Sequence, residues 1–314
     1  MNTRFVFVFL ALLALAAGGS AAAQAPVTLD PAKLKLASVN ALVFDAEADR
    51  PLYAKAADEV TPIASVTKLM TAMIVLDAGQ PLDEPLAVDM DDFDFLKGSS
   101  SRLRMGATLT RTEMLRLALM ASENRAASAL ARYYPGGTEA AVAAMNAKAA
   151  ALGMTRSNFA DPTGLSPDNV STANDLAKMV GAAAQYPLIR EFSTTPSHYV
   201  EVQPTGRVVG FNNSNRLVRA SGWDIQLQKT GYIREAGRCV VMLAQIASRP
   251  FVIVLLDSVG KYTRLGDAAR VKHWLETGQS LPVAKAAVPA ARAKKPVKGT
   301  LAPKLAQAPK APGA

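Results

Sequence analysis

The chain has 314 residues, half of them apolar, which is enough to build a real core and too apolar for global disorder. A single cysteine, Cys239, excludes an internal disulfide and a cysteine-built zinc cage, and the two histidines, His198 and His273, form no H-E-x-x-H zinc motif. The net charge of +9 is unevenly placed: Arg4 and seven residues of an acid-free C-terminal stretch (Lys285, Arg292, Lys294, Lys295, Lys298, Lys304 and Lys310) leave about +1 for everything between, so no nucleic-acid-binding face is needed to explain it.

Residues 1–23 read as a secretory signal, with Arg4 as the positive start, a short apolar run over 5–17, and Ala21-Ala22-Ala23 for cleavage. The rival reading is an uncleaved anchor. Residues 38–44 read as a strand and 51–55 as its partner, with a turn between them. The stretch 62–78 reads as a helix, apolar on most sides. Helical patterns follow over 112–120, 125–133 and 138–152, the first two separated by a pause at 121–124. Residues 161–165 form a loop, and Thr172-Ala173-Asn174-Asp175 opens a further helix through a Thr-x-x-Asp cap. Segments 199–203 and 207–211 suit a hairpin. Strand patterns return at 225–230, 238–246 (Cys239 included, as core packing) and 251–257, and a last helix covers 263–277. This is an α+β order, with sheet elements supplied by both ends of a catalytic domain spanning 24–280. The Ala/Pro/Lys-rich tail 281–314 should be disordered.

The chemistry starts with Ser65 and Lys68. A serine at a helix start has a plain reading as a cap. A lysine inside so apolar a helix is costly unless it is paired or used, and three positions apart places both side chains on one face. The plain reading there is an ammonium snorkelling to the surface. The pattern Ser-x-x-Lys is weak alone and recurs at Ser258 and Lys261, after an apolar run, where it reads as coincidence. Two further motifs follow in order. Ser122-Glu123-Asn124 lies where the helical pattern pauses, its plain reading a turn with a cap. Lys229-Thr230-Gly231 closes a strand-like run, its plain reading a solvated strand end.

Taken in order, Ser-x-x-Lys, Ser-x-Asn and Lys-Thr-Gly match one arrangement. With PIASVTKLMTA, LMASENRAASALA, NFADPTGLS, STANDLA and QKTGY, the chain resembles the penicillin-recognising serine DD-peptidases over about 36–278. It is most similar to the short D-alanyl-D-alanine endopeptidase branch, the penicillin-binding protein seven group, which lacks a second β-domain. Glu123 stands where many relatives have Gly or Asp, at a position whose side chain the mechanism does not need.

The resemblance implies a β-lactamase-like fold: an antiparallel sheet flanked by helices, with a helical subdomain. It implies Ser65 as nucleophile, Lys68 as base and Ser122 as proton relay. Asn124, Lys229, Thr230 and the backbone of Tyr232 would bind substrate, with no metal or cofactor. The implied partners are peptidoglycan stem peptides and, as covalent inhibitors, β-lactams; the implied location is the periplasm. The activity would be cleavage of D-Ala to diaminopimelate cross-links or, as the near variant, removal of terminal D-Ala, since both substrates offer a carboxylate beside the scissile bond. A β-lactamase is disfavoured because the loop at Asp161-Pro162 has no Glu-x-x-x-Asn. A non-enzymatic penicillin or peptidoglycan receptor is the third reading. The basic tail reads as a solvated linker, the alternative being weak contact with anionic wall or membrane components.

Overall fold

The computed structural model describes residues 28–283, so the expected signal segment and nearly all of the expected disordered tail lie outside it. Strands β1 (Asn40–Asp45) and β2 (Arg50–Lys55) form the first hairpin, and a two-residue strand β3 (Thr61–Pro62) follows. A single 3₁₀ turn, Ala64–Thr67, leads into α1 (Lys68–Asp77). Short strands β4 (Pro85–Ala87) and β5 (Thr108–Thr110) pair with each other. The helical part continues as α2 (Arg111–Met120), α3 (Asn124–Arg132) and α4 (Gly137–Ala151). Strand β6 (Val170–Ser171) pairs with β3, and α5 (Ala173–Ala183) and α6 (Pro187–Thr194) follow. The hairpin β7 (Ser197–Val202) and β8 (Arg207–Asn212) is a sheet of its own. The chain then lays down β9 (Asp224–Ile233), β10 (Gly237–Ile246) and β11 (Arg249–Ser258), and ends in α7 (Thr263–Thr277).

The main sheet is antiparallel, in the order β2-β1-β11-β10-β9, so strands from both ends of the chain meet in it and β9 is an edge. Its two faces explain the unbroken apolar run of β11. Alternate residues point to opposite faces. Val252, Val254 and Leu256 join Leu42 and Val241 in a core shared with the helical part. Phe251, Ile253 and Leu255 join Val43 and Met242 against Ala268, Val271 and Trp274 of α7. A strand covered on both faces loses the polar alternation of a half-exposed one.

Several sequence expectations shift. The helix expected over 62–78 begins only at Lys68, and Ser65 sits in the preceding 3₁₀ turn with no capping bond from it. Strand β9 does not close at Lys229-Thr230-Gly231 but carries these residues in its interior. Helix α6, with Pro187 at its start, was not expected, nor were β4 and β5. The cap of α5 is as expected, Thr172 Oγ1 accepting from Asp175 N at 3.0 Å. Ser258 is structural: its hydroxyl meets Ser38 Oγ at 2.7 Å, and Ser38 donates to Asp267 at 2.6 Å. Cys239 is fully buried, as a core residue should be.

Candidate active site

Helix α1 is buried from Lys68 to Val75, and Lys68 is its one charged residue in that stretch. The helix packs among α2 to α6, while the 3₁₀ turn before it lies against β9 and β10, so its N-terminal end opens at the boundary of the two parts. There lies a cleft of about 500 Å³ lined by Ser65, Ser122, Asn124 and Thr230, with Lys97, Ser99, Ser214 and Arg264 around it.

Lys68 Nζ donates to Ser65 Oγ at 3.0 Å, to Asn124 Oδ1 at 2.7 Å and to the Thr163 carbonyl at 2.6 Å. The amide and carbonyl oxygens can only accept, so they occupy two N–H groups whatever the charge. The third position faces a hydroxyl, which can donate as well as accept. A neutral Lys68 therefore turns its lone pair on Ser65 without rearranging the site. Burial brings the Lys68 ammonium down to about 8, against the raising pull of the Asp161, Glu123 and Asp94 carboxylates. The snorkelling alternative is excluded by its 1% exposure.

Lys229 is fully buried in β9, which corrects the plain reading of a solvated strand end. Its Nζ donates to Ser122 Oγ at 2.8 Å and to the Thr230 carbonyl at 2.8 Å. It is held well below the usual lysine range by burial first, then by Lys68 and Arg264. Lys68 has carboxylates working to keep it charged, whereas every influence on Lys229 opposes its charge, so an arriving anion would supply what this side of the cleft lacks. Thr230 Oγ1 donates to Ser214 Oγ at 2.7 Å. Ser122 precedes α3 with φ of 62°, and Glu123, not Ser122, is the cap, accepting from Arg125 N at 3.3 Å. Asn124 Nδ2 donates to Ser99 Oγ at 2.8 Å, which leaves one of its two N–H groups for another acceptor. The Tyr232 side chain is 57% exposed at the rim.

The sequence motifs thus converge on one cleft, but they missed the groups that brace it. Asp161 accepts from Thr163 N, Gly164 N and Ser166 N at 2.6, 2.8 and 2.7 Å, from Thr163 Oγ1 at 2.5 Å and from Asn169 Nδ2 at 3.0 Å. This knot aims the Thr163 carbonyl at Lys68, and Thr71 Oγ1 pins the same loop by donating to the Pro162 carbonyl at 2.6 Å. A Cβ on Gly164, whose φ is +79°, would lie 2.0 Å from the Ala64 carbonyl oxygen. A Cβ on Gly231 would meet Ile63 O at 2.9 Å and Ser65 N at 3.0 Å. The turn bearing Ser65 is thereby gripped between two backbones. Asp-Pro-Thr-Gly was legible as a loop, but nothing local announced its contact with residues almost 100 positions earlier. Ser99, Ser214 and Arg264, whose Nη1 donates to Gly231 O at 3.0 Å, had no signal at all.

A family model described as D-alanyl-D-alanine carboxypeptidase matches residues 24–260. The chain is 46% identical over 288 residues to a D-alanyl-D-alanine endopeptidase of Pseudomonas aeruginosa, covering 91% of this chain and 93% of that protein. It is 44% identical over 283 residues to the D-alanyl-D-alanine endopeptidase of Escherichia coli, covering 90% and 91%. Among solved structures, the Streptomyces K15 DD-transpeptidase superposes with a TM-score of 0.72 at 26% identity, over 79% of this chain and 98% of that one. Penicillin-binding protein D2 of Listeria monocytogenes, in its ampicillin-bound form, gives 0.66 at 28% identity, over 76% and 96%. A family model matched over most of the chain, and relatives this similar along nearly their whole length, establish that the chain belongs to the D-alanyl-D-alanine carboxypeptidase family of serine DD-peptidases.

Proposed function

We propose that the protein is an exported, periplasmic DD-endopeptidase that opens D-Ala to diaminopimelate cross-links of peptidoglycan through an acyl-enzyme on Ser65. The observation that carries this is the buried Lys68 amine 3.0 Å from a hydroxyl that lines an open cleft. Lys68, when neutral, takes the proton of Ser65 as its oxygen bonds to the D-Ala carbonyl carbon. The developing oxyanion is met by the N–H groups of Ser65 and Tyr232. Ser65 is near the start of its 3₁₀ turn, where N–H groups are not used by the turn itself. Tyr232 lies on an edge strand two residues from Thr230, whose carbonyl accepts from Lys229, and alternate residues along a strand orient alike.

The C–N bond then breaks. Ser122, beside Lys229, relays a proton to the leaving amine, and the serine ester is hydrolysed by water. Lys229 and Thr230 bind the carboxylate next to the scissile bond, and Asn124 positions Lys68 and a substrate amide. The endopeptidase relatives support cross-link cleavage over removal of terminal D-Ala. β-Lactams would acylate the same serine. That ester should be released slowly, because the Asp161 carboxylate is engaged by its own loop and so is poorly placed to activate water.

The test is to incubate purified protein with cross-linked muropeptide dimers and with pentapeptide monomers, with and without benzylpenicillin, and to repeat with Ser65→Ala. Dimers should be opened, penicillin should block this by adding its mass to the Ser65 peptide, and the variant should be inert. A Ser65→Ala protein that opened dimers at the normal rate would end the assignment.

A further inference from the structure

We infer that the cleft continues past Ser122 into a cationic pocket that holds carboxylates of the second stem peptide of a cross-linked substrate. This rests on the endopeptidase reading and adds a substrate-binding site to it. Ser99 and Ser122 line the main cleft. Their neighbours on the same two segments, Ser100 and Ala121, line a second depression of about 290 Å³. Arg102 closes that depression and also lines a third, again of about 290 Å³, between the 102–107 loop and the β7–β8 hairpin. The three hollows are thus neighbours, the first two separated by the segments of Ser99 and Ser122 and the last two sharing Arg102, with the Glu123 carboxylate in the middle one.

The far pocket has three arginines, Arg102, Arg104 and Arg207, beside an apolar wall that includes Met105, Val202 and Val209, and no carboxylate lines it. Arg102 is fixed in place: it donates to the Gly210 carbonyl and its guanidinium sits 5.8 Å from the centre of the Phe211 ring. Arg104 and Arg207 are exposed and make no ion pair among the described residues. Uncompensated cations around a partly apolar hollow suit a carboxylate-bearing peptide.

The two DD-peptidase substrates differ on this side of the scissile bond. A leaving terminal D-Ala ends at its own carboxylate, within reach of Lys229. The leaving half of a cross-link carries a further stem peptide with free carboxylates, which must exit the cleft past the residue that protonates its amine. Extended peptide advances about 3.3 Å per residue, so a second stem peptide reaches beyond the main cleft, on the side where these hollows lie. The pocket would thus favour cross-links while leaving the chemistry of the bond unchanged.

The experiment compares wild type with Arg104→Glu/Arg207→Glu and Arg104→Lys/Arg207→Lys on three substrates: muropeptide dimers, pentapeptide monomers and benzylpenicillin. The charge-reversed protein should lose about tenfold or more in kcat/KM on dimers, chiefly through KM, with the loss shrinking at about 0.5 M salt. It should stay within about twofold on the other two, and the lysine variant should retain most dimer cleavage. Unchanged dimer cleavage by the charge-reversed protein overturns the inference and leaves the endopeptidase reading standing. So does an equal loss on all three substrates, which would mark a general structural defect. A wild-type protein that trims pentapeptides and takes up penicillin but opens no dimer overturns the endopeptidase reading and this inference with it.

Discussion

The protonation state of Lys68 makes the sharpest forecast. If this amine takes the serine proton, the rate of benzylpenicillin acylation follows its neutral fraction. With Lys68 at about 8, that fraction is about a tenth at pH 7, about half at pH 8 and about nine-tenths at pH 9. The rate constant should climb close to tenfold per unit on the acid side and level off above about pH 9. Glu123 is one of the carboxylates that raise Lys68. Changing it to Gln removes a negative charge, disfavours the ammonium and moves the midpoint to lower pH, by about half a unit. At pH 7 the variant should therefore acylate about two- to threefold faster than wild type. Gln keeps an oxygen to accept from Arg125 N, so the start of α3 is preserved. The assay is rapid quenching with a fluorescent penicillin, from about pH 6 to pH 10, for both proteins. A flat profile across this range, or a midpoint shifted to higher pH in Glu123→Gln, would refute the role of Lys68 as base.

Other perturbations have equally definite outcomes. Lys68 is depressed in the folded protein relative to an ordinary lysine, so between about 8 and 10.5 the unfolded chain binds more protons and stability from this residue rises with pH; unfolding of wild type and Lys68→Met in urea should show wild type gaining on the variant across that window. Gly164→Ala sets a Cβ against the Ala64 carbonyl in a left-handed backbone; it should cost about 3 kcal/mol or more in urea unfolding and lower penicillin acylation about 100-fold. Asp161→Ala strips acceptors from five donors and should cost about 3 kcal/mol by the same measurement. Asp92, buried and 2.8 Å from Arg132, should cost about 2 kcal/mol as Asp92→Ala, seen as a lowered Tm, because the partly exposed guanidinium loses its carboxylate but keeps the Ala87 carbonyl.

How much the sequence disclosed depended on the range of the interaction that fixes each element. The run Phe251–Leu256 and the helix Thr263–Thr277 are set by their own apolar pattern and were legible. Helix α6 is only eight residues, and its Pro187 reads equally as a loop marker. The three-residue strands β4 and β5 exist through distant pairing, with each other and, for Thr108 of β5, with Gln203, and strands of that length leave no periodicity. Gly231 looked like the end of a strand, yet it marks the place where β9 runs against the turn of Ser65 with no room for a side chain. A cap stayed open as the plain reading of Ser65, beside that of nucleophile, because residue type alone cannot separate a capping hydroxyl from one facing a lysine. Thr163 was out of reach for a different reason: it serves Lys68 through its carbonyl, which every residue possesses.

The grip of Gly164 and Gly231 on the turn at Ser65 has a bearing on where the entropy of the reaction is lost. Main chain wedged from both flanks surrenders its freedom as the polypeptide collapses, long before a wall fragment arrives. Orienting the hydroxyl then draws little on the energy of substrate capture, which stays available for gripping and bending the peptide. The same rigidity joins the fate of the nucleophile to two distant stretches of chain, so slackening in either of them should silence the serine while most of the molecule is still folded.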